Sequence, residues 1–117
     1  MFERMSLATH TPIEVPTEIK PLIDEIKARL RPEAVWLFGS RARGDNRSDS
    51  DWDILVALPD DADPKLLDPL VGWTIQHELG IPATILSTTS SALTESWGAR
   101  NTLGYVIARD GRLLHER

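Results

Sequence analysis

With 117 residues, 41% hydrophobic and 26% charged, the chain has the make-up of one ordinary globular domain, which buries roughly 65% of its unfolded surface on folding. The absence of cysteine excludes disulfides, thiolate catalysis and zinc–thiolate sites, and makes a reducing cytoplasm the expected compartment. A net charge of −5 argues against general nucleic-acid binding, no apolar run reaches the ~20 residues of a membrane span, and residues 1–5 lack the layout of a signal peptide.

Residues 1–16 show no period and contain Thr11-Pro12 and Val15-Pro16, so they read as a loose lead-in to a single domain over residues 17–117. From Thr17, apolar residues at Ile19, Leu22, Ile23, Ile26 and Leu30 have the spacing of a helix with one buried stripe. Pro21 fits only its first turn, and Pro32 stops it. Residues 34–38 form a short apolar run bounded by a proline and a glycine, hence a buried strand. Ser40 is expected to cap a brief helical turn reaching about Gly44, before a polar loop at residues 45–50.

A second strand is expected over residues 51–58 and a loop over 59–64. Asp68 and Pro69 make a cap and first position for a longer helix. Its inner face is read as Leu70, Val71, Trp73, Thr74, Ile75 and Leu79, and Gly80 as its C-terminal cap. Residues 82–86 suit a third short strand, and the Ser/Thr cluster at 87–91 caps a following helix. A helix from about Ser96 to Arg109 would carry Trp97, Leu103, Val106 and Ile107; Asp110-Gly111 is a turn signal and Arg112-Leu113-Leu114 a final edge strand. There is no internal repeat. His10, His77 and His115 have no ligand spacing and read as surface or satisfied histidines, while Trp36, Trp52, Trp73 and Trp97 fall on apolar periods and read as core.

The chemistry concentrates between the first two strands. On a strand starting at residue 51, Asp51 and Asp53 share one face while Trp52, Ile54, Val56 and Leu58 share the other. Two neighbouring carboxylates repel each other, and a divalent cation between them removes the repulsion. Magnesium characteristically takes one or two protein carboxylates plus substrate phosphates. Gly39 and Ser40, at the end of the preceding strand, offer a bare backbone, an N–H and a hydroxyl to such phosphates, and Arg41, Arg43 and Arg47 concentrate positive charge nearby.

Rival readings fail on spacing. Gly39 and Gly44 match the glycines of a P-loop, but Asp45-Asn46 stand where Lys and Ser/Thr belong. Asp49, Asp51 and Asp53 imitate a calcium-loop start, yet Ile54 occupies the obligatory glycine position. Ser40 follows Gly39 directly, so no nucleophile elbow exists.

Gly-Ser, the ten residues 41–50, then Asp-x-Asp opening a strand is a specific combination. The stretch Gly39-Ser-Arg-Ala-Arg-Gly-Asp followed by Asp49-Ser-Asp-Trp-Asp-Ile-Leu-Val closely resembles the minimal nucleotidyltransferases of the DNA polymerase β superfamily. Many of these are partners of HEPN-domain toxins. The preceding amphipathic helix, the strand ending in Phe-Gly-Ser and the terminal Ile107-Ala-Arg-Asp-Gly-Arg-Leu-Leu-His extend the likeness over approximately residues 17–116.

The resemblance implies an α/β (α+β) fold of the polymerase β palm type, a small mixed sheet packed against helices. It implies Mg²⁺ (or Mn²⁺) as cofactor and ATP or another nucleoside triphosphate as substrate. Asp51, Asp53 and Ser40 would be the catalytic set, with Asp51 and Asp53 as metal ligands. Gly39 and Ser40 would hold the β- and γ-phosphates, with Arg41 and Arg43 adding positive charge there. The implied activity is transfer of AMP from ATP to a hydroxyl of a partner protein, a HEPN toxin, with pyrophosphate released. Relatives usually carry a third carboxylate on the next core strand, where this chain has Thr84, with Glu78 and Glu95 as the nearest acids in sequence. That departure sets up the alternative, a nucleotide-binding antitoxin that inhibits by complex formation. The oligomeric state stays open.

Overall fold

A computed structural model of the chain describes residues 10–117. A single 3-10 turn, Thr17–Ile19, leads into helix α1, Lys20–Leu30. Ile19, Leu22, Ile23, Ile26 and Leu30 are all buried, so the apolar stripe faces the core as its spacing requires. Strand β1, Ala34–Phe38, is followed by the short helix α2, Ser40–Arg43. Ser40 does not cap it: Gly39 holds the N-cap position, no side chain bonds there, and Ser40 is the first helical residue. Strand β2 is Trp52–Leu58, so Asp51 stands one residue ahead of the ladder rather than inside it.

A 3-10 turn at Pro64–Leu67 precedes helix α3, Pro69–Leu79, where Asp68 accepts a bond from the Leu70 N–H at 2.9 Å and Gly80 closes the C-terminus, both as expected. The inner face of α3 differs from expectation. Ile75 is buried and Val71 packs against the core, but Leu70 is 65% and Trp73 54% exposed, and Thr74 is exposed too. Trp73 stacks on His77 instead, with ring centroids 4.6 Å apart. Gly72 lies on the buried side, where a Cβ would come within 2.7 Å of the Ile85 Cβ, and this lets α3 sit close on the sheet.

Strand β3, Ala83–Thr89, runs further than residues 82–86, taking Ser87 and Thr88 into the ladder. Thr89 then caps helix α4, Ser90–Glu95, accepting from the Ala92 N–H. The single helix expected from about Ser96 is interrupted: α5 is Leu103–Asp110, and Thr102 caps it. Strand β4, Arg112–Glu116, ends the chain as an edge strand, as its sequence suggests.

The sheet order is β3-β2-β1-β4, with β1 antiparallel to both β2 and β4 and β2 parallel to β3. Helices cover both faces. Val35, Leu37, Trp52, Ile54, Val56 and Leu58 meet α1 and α3 on one side. Trp36, Leu55, Ala57 and Leu113 meet Leu93 of α4 and Ile107 of α5 on the other. Covering both faces makes β1 and β2 nearly continuous apolar runs. Within the stretch read as a loose lead-in, Ile13 donates its N–H to the Leu113 carbonyl at 2.8 Å and packs, with Val15, against the first cluster; residues 1–9 lie outside the described residues.

Candidate functional site

The register of β1 and β2 places Phe38 opposite Asp53, so the residue after Phe38 meets the start of β2 at one end of the sheet. That residue is Gly39, with φ +73° and ψ −158°, a conformation L side chains rarely adopt. A Cβ built there would collide with the Asp53 carboxylate, so the acid lies directly against the bare Gly39 backbone. The Gly39 carbonyl accepts from the Ala42 and Arg43 N–H groups, both at 3.1 Å, which closes the α2 turn over the corner. Ser40 opens that turn, and the first N–H groups of any helical turn lack partners within it.

Asp53 is half-buried and Asp51 exposed. Burial first, and the Asp51 negative charge second, push the Asp53 carboxyl above its ordinary value, while the Arg43 guanidinium pulls the other way. Asp51, Asp53, Gly39 and Arg43 therefore form one electrostatic neighbourhood. Arg41 is placed differently. Its guanidinium donates to the Ser50 carbonyl at 2.9 Å and the Ser48 carbonyl at 3.1 Å, and it lies 4.2 Å over the Trp52 ring, so it holds the loop of residues 45–50 against β2. Arg43 ion-pairs with Asp45 at 3.1 Å, and the Arg47 N–H donates to the Ser50 hydroxyl at 2.8 Å.

On the other side of β2, the parallel register sets Thr84 directly beside Asp53, exposed at the edge of the sheet. Glu78 is turned to α1, where Arg29 bonds it at 2.7 Å. Glu95 is exposed at the end of α4. Among the described residues no group of three His, Asp or Glu side chains gathers to hold a metal. The acid pair nevertheless suits a divalent ion: a cation offsets both the burial and the Asp51 repulsion that raise Asp53, and two carboxylates leave the rest of an oxygen shell to phosphates and water. One contact had no sequence signal. Arg112, at the head of β4, donates from Nε to the Ala42 carbonyl at 3.3 Å and braces α2 from across the fold.

The family model described as polymerase beta, nucleotidyltransferase matches residues 20–117. A solved structure described as a toxin–antitoxin with AMP-PNP is similar at 18% sequence identity and a TM-score of 0.48, over 87% of this chain and 75% of that one. No curated protein matches the chain.

Proposed function

Because this chain belongs to the polymerase beta nucleotidyltransferase family, whose pattern spans residues 20–117, we propose that it transfers AMP from ATP to a hydroxyl of a partner protein, with a HEPN-domain toxin as the acceptor. The observation that carries the reading is the packing of the Asp53 carboxylate on the Gly39 backbone, with Asp51 close enough to raise it. Acids and corner converge at one end of the sheet, the arrangement a metal–triphosphate needs.

In this reading Asp51 and Asp53 hold Mg²⁺ or Mn²⁺, which when bound neutralises phosphate charge and polarises the phosphoryl group under attack. Gly39 admits the phosphates because it has no side chain, and Ser40 offers them a hydroxyl and an N–H. Arg43, already beside Asp53, adds positive charge where the leaving pyrophosphate accumulates negative charge. The acceptor oxygen forms its bond to the α-phosphorus as the bond to pyrophosphate breaks, and the hydroxyl proton passes to solvent or a base. Positioning and charge neutralisation account for most of such catalysis.

Thr84 favours a second reading. A hydroxyl stands next to Asp53 where relatives carry a third carboxylate, and a hydroxyl is a poor proton acceptor at neutral pH. A chain limited in this way would bind nucleotide and inhibit its toxin by complex formation. Incubation with α-labelled ATP, Mg²⁺ and a purified HEPN protein encoded beside the gene separates the two. Label on the partner that vanishes in Asp51→Ala and Asp53→Ala supports transfer. Tight complex formation without label supports inhibition, and absence of Mg·ATP binding sinks both.

A further inference from the structure

The sheet end that carries Gly39 and Asp53 has a second feature on the β4 side. β4 opens at Arg112, paired with Leu37 of β1, and α5 ends just before it at Arg109 and Asp110. With Arg43 at the end of α2, these residues border a pocket of about 500 Å³, with His10 also in its wall. Neither Gly39, Ser40, Asp51 nor Asp53 lines it.

Three arginines and one aspartate line this wall, although the chain as a whole carries a net charge of −5. Packing like charges around one cavity brings folding no advantage. Arg112 has a backbone carbonyl as its partner rather than a carboxylate. Arg43 is held by Asp45 at 3.1 Å through an exposed ion pair of the weak kind that a better anion displaces, while Arg109 gives two donors to one oxygen of the half-buried Asp110, at 2.9 and 3.1 Å, and is itself exposed, with donors left for a second anion. Guanidinium forks match phosphate oxygens two at a time, and three arginines carried on three elements, α2, α5 and β4, suit an anion with several charged oxygens more than a single carboxylate.

We propose that this pocket is an anion site that takes a phosphate chain, gripped by the guanidinium groups of Arg43, Arg109 and Arg112. The site needs no divalent ion, and it rests on the nucleotide reading only for the source of the phosphate. That source is either the polyphosphate end of a nucleotide seated at the acid pair or a separate phosphorylated ligand.

Titration calorimetry of the full chain with inorganic tripolyphosphate in EDTA tests the site. Saturable binding is expected for the wild type and for Asp51→Asn/Asp53→Asn, with at least a tenfold loss in Arg109→Gln/Arg112→Gln and no change in Arg100→Gln. Arg109→Gln alone, at an exposed side chain, should weaken binding several-fold and decides the matter if loss of Arg112 disturbs the fold. Mg·ATP, titrated in parallel, identifies the source. A matching loss in the arginine variants assigns the phosphate to the nucleotide; unchanged Mg·ATP binding without competition assigns it to a separate ligand. Tripolyphosphate binding that ignores Arg109 and Arg112, or that the wild type lacks, overturns the site and leaves the nucleotide reading intact. Retained tripolyphosphate binding without any Mg·ATP binding supports the site and removes that reading.

Discussion

Gly39 answers to two constraints at once, a backbone angle in the left-handed region and a carboxylate where its Cβ would be. Gly39→Ala should therefore lose roughly 2–4 kcal/mol of stability by urea denaturation, from the strained backbone and the displaced acid together, and should abolish Mg·ATP binding by calorimetry. Asp53 is the opposite case, a residue the fold holds at a disadvantage. Its carboxyl is raised by burial and by Asp51, so the folded chain binds that proton more tightly than the unfolded chain. Stability then falls as pH rises from the ordinary value of 3.8 through the raised one, and the deficit persists at neutral pH. Asp53→Asn should melt at a higher temperature than wild type at pH 7, should match it at pH 3, and should bind no Mg·ATP. Equal melting at pH 7 would mean that neither burial nor Asp51 holds the Asp53 carboxylate at a disadvantage.

Among the elements, β1 and β2 are legible in the sequence because strands covered on both faces become apolar runs, and the acids interrupt the second run only at its head. Helix α3 is legible as a helix but not in its orientation. Leu70 and Trp73 are as apolar as Ile75, and periodicity tells which residues share a face, not which face the sheet covers. Leu70→Ser and Trp73→Ser should each shift stability by less than about 0.5 kcal/mol in chemical denaturation, against roughly 2–5 kcal/mol for Ile75→Ala. The break before α5 has a local signal in the sequence, Thr102 three residues ahead of Tyr105, whose N–H its hydroxyl accepts. The brace from Arg112 to Ala42 spans 70 positions of sequence and has no local signature at all. Thr84 lies between these cases: its strand was legible, but only the β2–β3 register sets it beside Asp53. Thr84→Asp would place a third carboxylate next to the pair. Single-turnover transfer from labelled ATP should rise at least tenfold in that variant if the missing acid limits turnover, and unchanged rates would place the limit elsewhere.

For the whole molecule, the fold explains why the site can be strained. Two apolar layers, one against α1 and α3 and one against α4 and α5, clamp the same sheet from both sides, and the repelling acids sit at its end, outside both layers. The core can hold the acid pair in place without its help, and in the proposed reading a cation with nucleotide bound there would return the stability that burial and repulsion of the acids withhold. Ligand that binds only the folded state stabilises it by about 2.7 kcal/mol at a hundredfold excess over Kd, which for a domain of this size is roughly 10 °C in Tm. Mg·ATP should raise the melting temperature on that scale, and Mg²⁺ alone by less, because phosphates supply most of the oxygen shell. In Asp51→Asn/Asp53→Asn the Mg²⁺-dependent part of the ATP shift, the difference between Mg·ATP and ATP in EDTA, should disappear even though the unliganded protein melts higher than wild type. A full shift in that double variant would move the nucleotide away from the acid pair and would detach the corner at Gly39 from any role in binding it.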